Sequence, residues 1–129
     1  MGAQAAAAAV FLARTGSSKD EVRAAITTRF GYDLSRRLDD IRPSYSFDVT
    51  CQGSVPEALT AFLESSGSED AVRKAISLGG DADTLACMAG AVAEAFYGEV
   101  PPEIATEVLA RLDDRIRTVM GRFAERFVR

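Results

Sequence analysis

The residues best suited to chemistry in this chain lie together in Leu78-Gly79-Gly80-Asp81-Ala82-Asp83-Thr84. Two glycines are followed by two carboxylates and a hydroxyl, and an apolar run from Leu85 to Tyr97 then reads as a helix. Asp81 and Asp83 can aim oxygen ligands at a hard cation, with the Thr84 hydroxyl as a third donor. Mg²⁺ and Mn²⁺ take such all-oxygen sites and keep several waters. Gly79 and Gly80 can adopt backbone angles closed to other residues and let a ligand approach the main chain. The start of the helix also presents N–H groups suited to a phosphate.

The same seven residues serve equally as a plain turn. In that reading Gly-Gly closes the preceding helix, Asp81 is an N-cap, and Asp83 is a first-turn acid favoured by the helix dipole. A helix N-terminus repels cations, so a metal there needs several carboxylates, and this stretch supplies two. Both readings stand on these residues alone.

The elements that must hold the stretch are helical. Gly2 to Arg14 forms a helix with alanine on nearly every side, a pattern that predicts burial all round. Ser18 and Glu21 form a capping box that opens a helix to Phe30, with Val22, Ala25, Ile26 and Phe30 at helical spacing and Gly31 as its C-cap. Asp33 is expected to cap a short helix through Leu34, Leu38 and Ile41, stopped by Pro43. Tyr45, Phe47 and Val49 alternate with polar residues but lack a partner strand, so an extended loop is expected. Ser54 and Glu57 suggest a second capping box, with Pro56 in the first turn of a helix to Ser65.

Glu69 to Leu78 is the next helix, carrying Val72, Ala75 and Ile76. The Leu85–Tyr97 run is rich in small residues, is expected near the centre of the core, and ends at Gly98. Pro101-Pro102-Glu103 opens Ile104 to Leu112. Asp113 or Asp114 begins a last helix through Ile116, Val119, Met120, Phe123 and Phe127, flanked by Arg115, Arg117, Arg122 and Arg126 as a solvated face. A faint likeness relates Phe11–Ile26 to Phe62–Ile76, and shared capping chemistry explains it as well as duplication does. The expected fold is all-α, a multi-helix bundle forming a single domain over residues 1–129.

Composition narrows the function. A net charge of −4 and a pI near 4.8 argue against nucleic-acid binding, whose footprint is a basic stripe. With no histidine, Ser-His-Asp triads, Cys–His dyads and His-ligated zinc are excluded together. Cys87 is expected to be a small buried hydrophobe, and Cys51 an unactivated thiol in a polar loop. The apolar N-terminal run lacks a positive flank and is too short to span a bilayer, so no membrane association and a cytoplasmic location are expected.

Three blocks resemble the C-terminal half of ADP-ribosylglycohydrolases. They are Phe47-Asp48-Val49-Thr50-Cys51-Gln52-Gly53-Ser54-Val55-Pro56-Glu57-Ala58-Leu59, then Ala75 to Ala86 with its Gly-Gly-Asp-x-Asp-Thr core, then Ala89-Gly90-Ala91 with Phe96-Tyr97-Gly98. Phe11-Leu12-Ala13-Arg14 and Phe30-Gly31-Tyr32-Asp33-Leu34 are similar to the family too. The resemblance implies half of an all-helical fold that holds two divalent cations, Mg²⁺ or Mn²⁺, and hydrolyses the bond joining ADP-ribose to an acceptor. It implies Asp81, Asp83 and Thr84 as metal ligands and Gly79 and Gly80 as the lining of the ADP-ribose site. A paired-metal site positions ribose hydroxyls and a water, and favours deprotonation of that water.

Family members carry a second ligand cluster, Thr-Asp-Asp, upstream, and none precedes Gly79 here. Asp39-Asp40 and Asp113-Asp114 lack that context and read as helix-terminus or solvated pairs. The expectation is therefore a partial metal site in a hydrolase half-domain that acts on ADP-ribose or an ADP-ribosylated substrate and needs a complementary polypeptide. The alternative is a non-catalytic, self-associating helical module, a homo-oligomer with a vestigial site. No catalytic residue is assigned.

Overall fold

Good helix formers fill most of the chain, and the alternating stretch around Tyr45 finds no strand to pair with. A computed structural model describes residues 1–127, and among these there are eight helices and no strand. They are α1 (Gly2–Arg14), α2 (Lys19–Phe30), α3 (Leu38–Ile41), α4 (Cys51–Leu63), α5 (Ser68–Ser77), α6 (Ala82–Tyr97), α7 (Pro102–Arg111) and α8 (Asp114–Phe127). The all-α expectation holds. The helices divide into two units, Met1–Glu99 and Val100–Arg129.

In the first unit α6 packs against α1, α4 and α5. Its small residues allow close approach, and Leu85, Ala89, Val92 and Ala93 form the buried face. α1 packs on α6 and α4 and buries a stripe of Gly2, Ala5, Ala9 and Ala13, spaced three and four apart, with Gly2 against Cys51 and Val55 of α4. The expectation that α1 is covered all round is corrected here: Phe11 is 65% exposed. Its alanines reflect helix propensity as much as burial. The helix enclosed on all sides is α4, in which every residue from Ser54 to Leu63 is buried.

Aromatic packing ties the ends of these helices together. Phe62 of α4 meets Phe96 of α6 edge to face, with ring centroids 5.4 Å apart. Lys19, at the start of α2, places its amine 5.3–5.6 Å from the Phe62, Phe96 and Tyr97 rings and donates to the Ser65 carbonyl. The Tyr97 hydroxyl donates to that carbonyl as well, at 2.6 Å.

Several local expectations hold. Ser18 and Glu21 make the capping box, and Gly31 and Gly98 close α2 and α6. Others are corrected. Asp33 does not cap a helix; its carboxylate accepts from the N–H and hydroxyl of Ser35, and α3 starts only at Leu38. α4 begins three residues before the expected capping box, because the Thr50 hydroxyl accepts from Gly53 N–H. Ser54 instead donates back to the Thr50 carbonyl, and Pro56 lies inside the helix, where it leaves the Gln52 carbonyl without its usual donor. Cys87 is exposed, because it sits two positions from both Leu85 and Ala89 and so faces away from the packed side of α6.

In the second unit no residue of α7 or of the described part of α8 is buried. Asp113 accepts from Ile116 N–H at 2.9 Å and so caps α8. Arg111 pairs with Glu107 one turn back, and Arg117 with Asp114.

Ala9 and Phe11 give a direct test of α1 packing. Ala9→Leu inserts volume into a closed contact and is expected to lower unfolding free energy by about 1–3 kcal/mol. Phe11→Ser at the open face should change it by less than about 0.5 kcal/mol. Urea unfolding of both variants checks the pair.

Candidate functional site

The Gly-Gly turn after α5 determines where the two aspartates stand. Gly79 and Gly80 are both left-handed, with φ of +76° and +63°. An L-residue with a side chain resists that conformation. Gly80 is constrained a second time by space. A Cβ there would sit 2.9 Å from Tyr45 Cε1, 3.1 Å from the Ser46 carbonyl oxygen and 3.3 Å from Phe47 Cα, so the 45–47 loop lies directly on the turn. Around Gly79 nothing lies within 4 Å, and only its backbone angle demands glycine.

Asp81 follows as the N-cap residue of α6, and its carbonyl accepts from Leu85 N–H at 3.0 Å. Its carboxylate, however, accepts no helix N–H. Asp81 thus occupies the capping position without the side-chain bond that usually accounts for an aspartate there. Asp83, in the first turn, is exposed and accepts from Thr84 N–H at 3.0 Å. The Asp81 carboxyl, near enough to share a hydrogen bond with it, is the main cause that holds Asp83 below the usual carboxylate range, and the Thr84 N–H adds to this. The two aspartates therefore converge at the mouth of α6, with exposed Thr84 beside them.

The donor set suits a hard cation in kind, since it consists of oxygens only. In number it is short: among the described residues no group of three or more His, Cys, Asp or Glu side chains is placed to hold a metal ion. Mg²⁺ is ordinarily bound through one or two carboxylates with several waters retained, and two aspartates and a hydroxyl are the oxygen donors this turn presents. The other adjacent acids are committed elsewhere or solvated. Asp39 pairs with Arg42 at 2.7 Å, Asp113 caps α8, and Asp40 is exposed.

Two residues that sequence reasoning passed over stand beside this turn. Tyr45 packs its ring on Gly80 and donates its hydroxyl to the Gly53 carbonyl at 3.0 Å, joining the turn to the start of α4. Burial raises its pKa, and the negative charges of Glu57, Asp48 and Asp81 add to the rise. Glu57 is only 9% exposed, and its Oε2 has no hydrogen-bond partner. Burial pushes its carboxyl above the ordinary range. Its own backbone N–H and Arg36, 3.8 Å away, pull the other way, whereas Asp48 and Asp33 add to the rise. The one sequence signal was a charged residue inside an otherwise uncharged buried stretch, Val55 to Leu63.

Two stability measurements follow. Gly79→Ala is expected to lower unfolding free energy by about 1–2 kcal/mol through its backbone angle. Gly80→Ala adds an overpacking loss of about 1–3 kcal/mol, because two of the three atoms it meets are backbone. Equal losses in chemical denaturation would contradict the close approach of the 45–47 loop. For Glu57 the folded pKa is raised, so its contribution is favourable below the unfolded pKa and is lost as pH rises through the folded value. Glu57→Gln should therefore stabilise by about 1 kcal/mol near neutral pH, the scale of one buried unpartnered group. In mild acid the variant and the parent should converge.

The comparisons with known proteins bear on the whole chain. No curated protein and no solved structure matches it. A family model described as ADP-ribosylglycohydrolase matches residues 1–129. That match runs through the Gly79–Thr84 turn and the helices that carry it, and this chain belongs to the ADP-ribosylglycohydrolase family.

Proposed function

We propose that residues 1–129 provide the metal- and ADP-ribose-facing part of a hydrolase that removes ADP-ribose from a modified acceptor. One observation carries this reading: the Asp81 and Asp83 carboxyls converge on a doubly left-handed turn, and Asp81 is not used for capping. Asp81, Asp83 and Thr84 are the residues that would hold Mg²⁺ or Mn²⁺. A divalent ion there would polarise a ribose hydroxyl or a water oxygen. Gly79, with open space where a side chain would stand, leaves the main chain open to a sugar or phosphate, whereas Gly80 is held against the 45–47 loop and shapes the same lining by fixing the turn. Tyr45 fixes the turn against α4, and its hydroxyl is occupied by the Gly53 carbonyl.

The positive end of α6 opposes a cation, so the ligand set is completed by further carboxylates from outside these residues. A complementary polypeptide is the source this reading favours. Among the described residues no helix is long and apolar enough to cross a membrane.

Calorimetric titration tests the reading. Mn²⁺ is expected to bind weakly alone and more tightly with ADP-ribose present, and Asp81→Ala and Asp83→Ala should each weaken binding by at least about tenfold. Equal binding by the parent and both variants would overturn it.

A second reading has its own observation. Val108, Leu109, Ile116, Val119, Met120, Phe123 and Phe127 are all exposed on two successive helices, and clustered exposed apolar side chains are a mark of interaction surfaces. In this reading the chain is a self-associating helical module. Light scattering across a concentration series should then give a mass that rises with concentration, and a monomer throughout would rule it out.

A further inference from the structure

Away from the aspartate turn, the segment between α2 and α3 brings three guanidinium groups to one cavity. Arg23, Arg36 and Arg37 line a space of about 310 Å³ together with Ser35, Thr60 and Glu64. Arg23 is held in place: its Nη1 donates to the Leu34 carbonyl at 2.8 Å, whereas its Nε is buried with no partner. A buried donor left unpaired is costly and uncommon in a folded protein. Arg36 has its nearest carboxylate, Glu57, at 3.8 Å, beyond hydrogen-bonding distance, and its side chain is about half exposed. Arg37 enters no ion pair among the described residues.

The acid in the same wall is already engaged, since Glu64 Oε1 accepts from Leu38 N–H at 3.0 Å. Asp33 lines the adjoining cavities, and its carboxylate takes the N–H and hydroxyl of Ser35. Three guanidinium groups, of which Arg23 is held by a hydrogen bond, thus share a cavity wall with one committed carboxylate. Glu57, Asp33 and Asp39 outside that wall offset part of the charge of Arg36 and Arg37, in a chain whose net charge is −4. A local excess of this kind within an acidic protein is a feature of this pocket and does not follow from composition.

From this geometry we infer an anion site of the phosphate class at Arg23, Arg36 and Arg37, separate from the aspartate turn. Planar guanidinium groups bind phosphate oxygens through paired N–H donors, and the orphaned Arg23 Nε supplies a donor in need of an acceptor. A phosphate group is common to free phosphate and to a nucleotide. The cavity next to this one, of about 280 Å³, shares Arg36 and Thr60 and is lined further by Tyr32, Pro56 and Glu57, so it has room for more than the phosphate.

The test uses ³¹P resonance titration of inorganic phosphate and of AMP at constant ionic strength, held with chloride. The parent is expected to bind phosphate saturably. An Arg36→Ala/Arg37→Ala variant, altered at two exposed side chains, should weaken binding by at least about tenfold. Arg23→Gln should weaken it too, whereas Asp81→Ala should leave it unchanged even if the proposed metal site fails. AMP binding tighter than phosphate would support the site and assign it to a nucleotide, and equal affinities would support it as a site for free phosphate. No saturable binding, displacement by chloride at matched ionic strength, or equal affinity in the parent and the double variant would each overturn the inference.

Discussion

The contact between Gly80 and the 45–47 loop is the constraint on which the rest of the site depends. Two successive left-handed residues reverse the chain after α5, and the second has no space for a side chain. The same contact brings Tyr45 across to the Gly53 carbonyl, so a loop, a turn and the start of the enclosed α4 are fastened at one point. With the turn so fixed, Asp81 enters α6 at a set angle and Asp83 follows within reach of it. Position here comes from backbone shape and steric fit, and the hydrogen bonds of the two carboxylates are local, to the Thr84 N–H and to each other.

That arrangement works against the field of its own helix. A carboxylate at a helix N-terminus is stabilised, and a cation there is not. Two acids can offset the dipole without supplying a full coordination shell, and the described residues supply no third acid to the cluster. The family match covers the helices that present these two acids, and the proposed role of Asp81 and Asp83 rests on their placement at the mouth of α6. The exposed apolar side chains of α7 and α8 form a separate feature, because they belong to the other unit.

What could be read in advance was chemistry carried by neighbours in sequence. The Ser18/Glu21 box and the glycines closing α2 and α6 needed no tertiary knowledge. Leu34, Leu38 and Ile41 are all buried, but their helical spacing misplaces the start of α3, because Leu34 precedes the helix. The start of α4 was misplaced because Thr50 and Ser54 are both competent caps, and only the position of Gly53 N–H selects the first. Cys87 was misread because its apolar neighbours concealed which face of α6 is packed. Tyr45 and Glu57 were passed over for a different reason. Their environment is made by residues far away in sequence, with Gly80 beneath the tyrosine ring and burial within α4 raising the glutamate.

The most direct measurement of the central claim is paramagnetic broadening of backbone amide resonances by substoichiometric Mn²⁺ with ADP-ribose present. Broadening centred on Asp81, Asp83 and Thr84, and abolished in Asp81→Ala, is the predicted result. Broadening spread over the exposed acids of α3 and α8, or unchanged by the substitution, would contradict it.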